Sequence, residues 1–422
     1  MDDSNRISFE PPRGMRDFYP EDMVWRERVF NAWRQTTRLC GFAPYDACVV
    51  ESLELLQRKA GEEVTEQIYN FEDKSGRKLA LRAEMTPTLA RMVAARQGGL
   101  RFPLKWSTIA QCFRYERMTR GRKREHYQWN VDIIGEESVS AEAEVLNAAA
   151  TALRLMGMPD GAYRIHVNSR ALLGELLEKQ GFAPEQHAAV FLALDKRGKI
   201  SDEAIADLLK EEGLPADGIP KVFELMEISS LDEAAAVVGN DSPAIARLRE
   251  LFALAERYGF VDRLLFDVAV IRGLSYYTGI VFEAFDTERK FRAIFGGGRY
   301  DNLLTSIGGE PTPAVGLGFG DVVVQEVLME LLGSDAAMEK SGVAIGYMFP
   351  EQRDSAVSLA ARLRAEGTFV DIALTPQKPK HFFRWAGEGR SSHAVFIGPD
   401  DVEKGIARIK DLATREESEI KL

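Results

Sequence analysis

Four separated segments of this 422-residue chain set polar side chains among glycines and aromatics. Glu84 and Thr86 stand just before Pro87, and Arg114 and Glu116 lie in Phe-Arg-Tyr-Glu. Gln128 and Asp132 are four apart, which places both on one face of a strand. Arg272, Tyr276 and Tyr277 belong to Arg-Gly-Leu-Ser-Tyr-Tyr-Thr-Gly. Carboxylates suit an ammonium, amide and hydroxyl groups orient it, arginine forks match phosphates and tyrosines wall a ring. Together these types could hold an amino acid beside a nucleotide.

Six cations crowd positions 113 to 124: Arg114, Arg117, Arg120, Arg122, Lys123 and Arg124. Their mutual repulsion calls for an arriving anion, either a nucleotide or a nucleic acid. Phe113, Tyr115, Tyr127 and Trp129 flank the cations in strand-like alternation, which argues against a merely solvated charged loop. The whole chain carries 54 Lys/Arg against 65 Asp/Glu, a net charge of −11, so polyanion contact must come from local patches. Cys40, Cys48 and Cys112 are too scattered for a disulfide framework or a zinc site, and the histidines show no ligand spacing. A reducing cytoplasm is therefore expected. The N-terminal Met-Asp-Asp-Ser-Asn-Arg carries no export signal and no stretch is long and apolar enough to span a bilayer, so no membrane is expected as a partner.

These residues need elements to position them. Apolar spacing predicts a helix over 21–40, stopped by Gly41, then a strand over 45–50. A strand from Leu79 feeds a helix at Thr86-Pro87, with threonine as the expected cap and proline in the first turn. An alanine-rich helix is predicted over 141–156 and a strand over 163–167. From about 169 to 258, short amphipathic helices predict a helical insertion, with capping signals at Ser230 and Ser242. Alternation of Leu264, Phe266, Val268 and Val270 predicts a strand, then a corner into another over 280–285, and sequential strands predict an antiparallel sheet. Residues 1–333 thus form one expected domain. After a short polar linker, 341–422 alternate strand and helix as a small α/β domain. That domain is neutral, while the rest carries the acidity.

Several of these stretches resemble histidyl-tRNA synthetases. Arg272-Gly-Leu-Ser-Tyr-Tyr-Thr-Gly-Ile-Val-Phe-Glu283 and Gly297-Gly-Arg-Tyr-Asp301 look like the family's two histidine-specific signatures. Phe113 through Gln128 resembles class II motif 2, Pro12-Arg-Gly-Met-Arg-Asp-Phe the N-terminal segment, and Val402 to Ile420 the close of the anticodon-binding domain. The resemblance implies an α+β fold: a class II synthetase antiparallel sheet flanked by helices, a helical insertion and a C-terminal anticodon-binding domain. It implies an ATP-dependent ligase, homodimeric, acting on L-histidine and tRNA(His), with ATP and Mg2+ as cofactors.

By that resemblance Arg114 and Arg272 bracket the α-phosphate and carboxylate as the catalytic pair, and Glu116 and Arg122 orient the ATP tail. Any protein contact to Mg2+ would come from Glu116. Glu84, Thr86 and Gln128 hold the α-amino group, while Asp132 with Tyr276 or Tyr277 reads the imidazole. His126 and Val323 fall on the two faces of adenine, where relatives carry an aromatic ring and an arginine. Cys48 falls on the motif 1 proline of the dimer interface. ATP affinity is expected to weaken as His126 protonates, near pH 6.5 or below. The alternative is a non-aminoacylating relative, similar to the synthetase-like regulatory subunit of ATP phosphoribosyltransferase.

Overall fold

A computed structural model describes residues 8–58, 65–196, 200–271, 276–333 and 340–422. The chain divides into two compact units, Met1–Gly333 and Ser334–Leu422.

The strands of the first unit are, in chain order, β1 (Ala43–Pro44), β2 (Val50–Ser52), β3 (Asn70–Glu72), β4 (Lys78–Leu81), β5 (Leu104–Phe113), β6 (Glu125–Ile134), β7 (Tyr163–Ser169), β8 (Leu264–Phe266), β9 (Ile280–Asp286), β10 (Phe295–Arg299) and β11 (Ala314–Gly320). Eight of them form one sheet in the order β1-β5-β6-β11-β10-β9-β7-β8, and β2-β4-β3 form a small second sheet. The six central strands pair antiparallel, so the sheet has the expected antiparallel core, although β8 and β9, whose succession in the sequence suggested it, are not neighbours in it. The edge strands depart from this, because β1 joins β5 and β8 joins β7 in parallel.

The sheet has two unlike faces because its side chains alternate. Trp129, Phe319 and Phe295 occupy one row and pack with Trp33 of the helix Pro20–Leu39, whose ring lies 6.2 Å from Trp129 and 5.5 Å from Phe319. Trp129 Nε1 is not stranded there, since it donates to Ser107 Oγ at 2.8 Å. On the same face Arg299 reaches the helix Ser140–Leu155 and grips Glu142 with two bonds of 2.7 and 2.6 Å. The opposite face carries polar residues and glycines, and it is the one that matters for chemistry.

Between β7 and β8 run six described helices, from Arg170–Lys179 to Pro243–Tyr258. Ser230 and Ser242 cap two of them as predicted, each accepting a backbone N–H three residues on, and Gly259 ends the last with φ +79°.

Three local expectations need correction. No strand runs over 45–50: the extended segments are at Ala43–Pro44 and Val50–Ser52, in different sheets, and Asp46 turns onto the Ala47 N–H between them. The strand predicted through Val270 ends at Phe266, because Asp267 accepts the Ala269 N–H and folds the chain into a turn. Thr86 is not a cap but the first residue of the helix Thr86–Ala94, and Met85 precedes it in helical conformation.

The second unit holds β12 (Val343–Tyr347), β13 (Val370–Ile372), β14 (His393–Ile397), β15 (Ile406–Asp411) and β16 (Glu417–Lys421), in the order β13-β12-β14-β15-β16. β12 pairs parallel with β13 and β14, with the helices Arg353–Ala365 and Pro379–Glu388 as crossovers. Val343, Ile345, Val395 and Ile397 pack on Leu359 and Leu363, while Phe382 and Ala386 cover the other face. The antiparallel pair β15 and β16 completes the sheet, as an exposed polar hairpin that the alternation of strand and helix did not reveal.

Candidate active site

Register assembles the polar face of the sheet. Trp106, Asp132, Gly316 and Gly298 stand in one cross-strand row, Thr108, Asn130, Gly318 and Gly296 in the next, and Ala110, Gln128 and Gly320 in the third. Gln128 and Asp132 therefore share a face, as their spacing requires. The glycines of β11 are needed because of them. A Cβ on Gly316 would fall 2.0 Å from Asp132 Oδ1, and one on Gly318 would fall 1.7 Å from Gln128 Nε2. The sequence alternation Gly-Leu-Gly-Phe-Gly puts apolar bulk on the core face and clears the polar one.

Asp132 is the deepest acid of this face. It is 1% exposed, Tyr300 donates to its Oδ1 at 2.6 Å, and its buried Oδ2 has no hydrogen-bond partner. Burial lifts its pKa to about 7, against the lowering effect of the Tyr300 bond. Tyr276 and Tyr277 are buried beside it, their rings 4.9 Å apart, and Tyr276 lies 5.9 Å from Tyr300. Tyr276 also donates to Glu84 Oε2 at 3.0 Å, joining the segment before the helix Thr86–Ala94 to the tyrosine cluster. Thr86 is buried at that junction.

The hairpin between β5 and β6 supplies the cations. Arg114 is anchored by its Nε–H to Ala83 O at 2.9 Å, which links the hairpin to Glu84, and Arg122 pairs with Glu116 at 2.7 Å. Arg16, from the N-terminal segment, holds Glu125 at 2.6 Å and the buried Asp321 at 2.9 Å, fixing the base of β6 against the start of the helix Asp321–Leu332. Arg114, Glu116, Arg122, His126, Gln128 and Val323 all border one open cavity of about 250 Å³. His126 faces Gln128 at 3.3 Å, and burial first, then the charge of Arg114, pull its pKa down to about 3. The lowering follows the expected direction, with burial adding to the effect of the neighbouring cations, and the ring is neutral throughout the neutral range.

The structure thus brings Glu84, Thr86, Asp132, Tyr276 and Tyr277 into one buried neighbourhood, while Gln128, half-buried on the same sheet face as Asp132, borders the cavity with Arg114, Glu116, Arg122, His126 and Val323. Arg272 lies outside the described residues. Tyr300 and Asn130 were missed among the individually named residues. Tyr300 had a signal, its place in Gly-Gly-Arg-Tyr-Asp, and Asn130 could have been found by continuing the period of two from Gln128 to Asp132. Among the described residues no cluster of His, Cys, Asp or Glu is arranged to hold a metal ion, and Glu116 is already committed to Arg122.

The family model described as "Histidyl-tRNA synthetase" matches residues 14–320, and the one described as "Anticodon binding domain" matches 342–422. The chain belongs to the histidyl-tRNA synthetase family. It is 41% identical over 418 residues to a protein of Arabidopsis thaliana named histidine–tRNA ligase, chloroplastic/mitochondrial, covering 99% of this chain and 86% of that one. A histidine–tRNA ligase of Opitutus terrae is 37% identical, with 98% of this chain and 96% of the relative covered. A histidyl-tRNA synthetase from Nostoc has the same fold, with a TM-score of 0.82 at 22% identity over 99% of this chain and 97% of that one. A Bacillus halodurans structure described as an ATP phosphoribosyltransferase regulatory subunit/histidyl-tRNA synthetase is also alike in fold, with a TM-score of 0.77 at 22% identity, covering 93% and 99%. Fold alone therefore does not separate the synthetases of this family from their regulatory relatives.

Proposed function

We propose that the chain is a histidine–tRNA ligase. It joins L-histidine to ATP as histidyl-adenylate, then passes the histidyl group to the 3′-terminal adenosine of tRNA(His). The observation that carries this reading is the buried Asp132, held by Tyr300 over a floor cleared of side chains, in a chain alike along nearly its whole length to proteins named as such ligases. That likeness favours the ligase over the regulatory relative.

Activation needs no general base, since the substrate carboxylate is already ionised. A carboxylate oxygen attacks the α-phosphorus, the bond to the β-phosphate oxygen breaks, and pyrophosphate leaves. The barrier lies in bringing two anions together, so cations and positioning do the catalysis. Arg114 and Arg272 neutralise the α-phosphate and carboxylate, and Arg122, steadied by Glu116, meets the outer phosphates. Mg2+ arrives with ATP as part of the substrate. Glu84, Thr86 and Gln128 accept from the α-ammonium. Asp132 and the tyrosines select the imidazole, whose N–H requires a fixed acceptor. His126 and Val323 meet the adenine.

A homodimer in the cytoplasm is the expected form; among the described residues no helix is long and apolar enough to cross a membrane. The unit Ser334–Leu422 takes the anticodon. A chain ending at Gly333 should keep histidine-dependent pyrophosphate exchange and lose most tRNA charging, because activation draws only on the first unit. Charging at normal efficiency by that shortened protein would contradict the assignment. ATP affinity should show no component from His126 between pH 5 and 8, since its pKa of about 3 keeps the ring neutral there. Titration calorimetry should give His126→Phe the same pH profile as the parent, and a parent affinity that falls through pH 6.5 while the variant's does not would refute this.

A further inference from the structure

We infer that Arg292 is the residue that covers the adenine base in the ATP site, a role that rests on the ligase reading. The cavity that takes the nucleotide is bordered from two sides of β11: His126 projects from β6 on one side, and Arg292 comes from the turn leading into β10 on the other. Val323, in the helix that follows β11, gives the same cavity an apolar surface. Arg292 is close to that surface. A Cβ placed on Gly121 would sit 3.3 Å from Val323 Cγ2 and 3.8 Å from Arg292 Cδ, so the valine and the arginine stem both border the same spot of the cationic hairpin.

Three neighbouring cations are already paired. Arg122 pairs with Glu116 at 2.7 Å, Arg120 with Glu330 at 2.9 Å, and Lys290 with Glu330 at 3.3 Å. The exposed Arg292 has no hydrogen bond, ion pair or ring contact among the described residues. A planar guanidinium held beside apolar surface, with no carboxylate to satisfy it, is suited to lie on the face of a flat π system. Lys123 also borders the cavity without a hydrogen-bond or ion-pair partner among the described residues, but a point charge has no plane to stack. A purine whose phosphates lie on Arg114 and Arg122 would enter between the neutral His126 ring and the Arg292 plane. The arginine absent from position 323 is thus replaced from the turn before β10.

The test is titration calorimetry of the full-length parent, Arg292→Ala and Arg292→Lys with ATP, with inorganic tripolyphosphate and with histidine. Arg292→Ala should weaken ATP about five- to thirty-fold, the size of a cation–π contact sheltered from water. Lysine should restore little of it. Tripolyphosphate, which has no base, should bind the parent and Arg292→Ala equally, and histidine binding and melting temperature should not change. ATP affinity within twofold of the parent in Arg292→Ala would overturn the inference. So would equal losses for ATP and tripolyphosphate that lysine repairs, since Arg292 would then be a phosphate contact. A parent that binds histidine but no ATP would instead overturn the ligase reading on which the inference stands.

Discussion

Asp132→Asn is expected to lower kcat/KM for histidine in pyrophosphate exchange by about 10²-fold, because a buried charged acceptor is exchanged for an amide that cannot match the same hydrogen bonds. The loss should fall mainly on histidine and spare ATP affinity. In the parent, kcat/KM for histidine should rise with pH as Asp132 ionises around its pKa of about 7, and the variant should keep only the dependence that comes from the imidazole of the substrate itself. Stability should move the other way. The folded carboxyl holds its proton up to about pH 7, whereas the unfolded one releases it near 3.8. The proton-linked stability is therefore complete below pH 4 and disappears as pH rises towards 7. Free of that penalty, Asp132→Asn should be more stable than the unliganded parent at pH 8, by on the order of 2–4 kcal/mol, and similar to it at pH 4. A variant that is less stable at pH 8, or that binds histidine normally, would show that Asp132 is an ordinary core residue.

The second large effect is structural. Glu142→Ala should destabilise the first unit by about 3–5 kcal/mol, because it leaves Arg299, 4% exposed, without its principal counter-charge. Arg299 keeps a 3.3 Å contact with Asp301 and donates to Glu136 O at 3.0 Å, which moderates the loss without replacing the two-bonded grip of Glu142. Combining Glu142→Leu with Arg299→Met should cost far less than Glu142→Ala alone, since no unpaired charge remains. Denaturant unfolding followed by tryptophan fluorescence would read this well, because Trp25, Trp33, Trp106 and Trp129 all lie in the first unit. Equal losses in the single and double variants would assign the cost to packing and not to the stranded charge.

Much of this site can be read before any coordinates. The alternation of aromatic and charged residues around Tyr127 and Trp129 dictates a strand with Gln128 and Asp132 on one face, and β6 has them there. Family resemblance joined that strand to the distant Tyr276 and Tyr277. What could not be read was long-range register. Nothing local says that Gly316 must lie opposite Asp132, or that Tyr300 will supply its hydrogen bond from just beyond β10. Side chains also overruled propensity at two places. Asp267 stopped an apolar alternation by accepting a backbone N–H, and Asp46 broke a strand-like run in the same way. The hairpin β15–β16 escaped because most of its residues face water or lie only half-buried, so its pattern lacks the apolar period of a covered strand. The role proposed for Arg292 needed the strand order itself, since His126 on β6 and Arg292 just before β10 reach the cavity from either side of β11.

The most direct test of the account is exchange of labelled pyrophosphate into ATP by the purified full-length protein, offered each of the twenty amino acids in turn. Histidine alone should support exchange. No exchange with histidine, while histidine still binds, would contradict the ligase and favour a regulatory relative that uses this fold only to sense the amino acid.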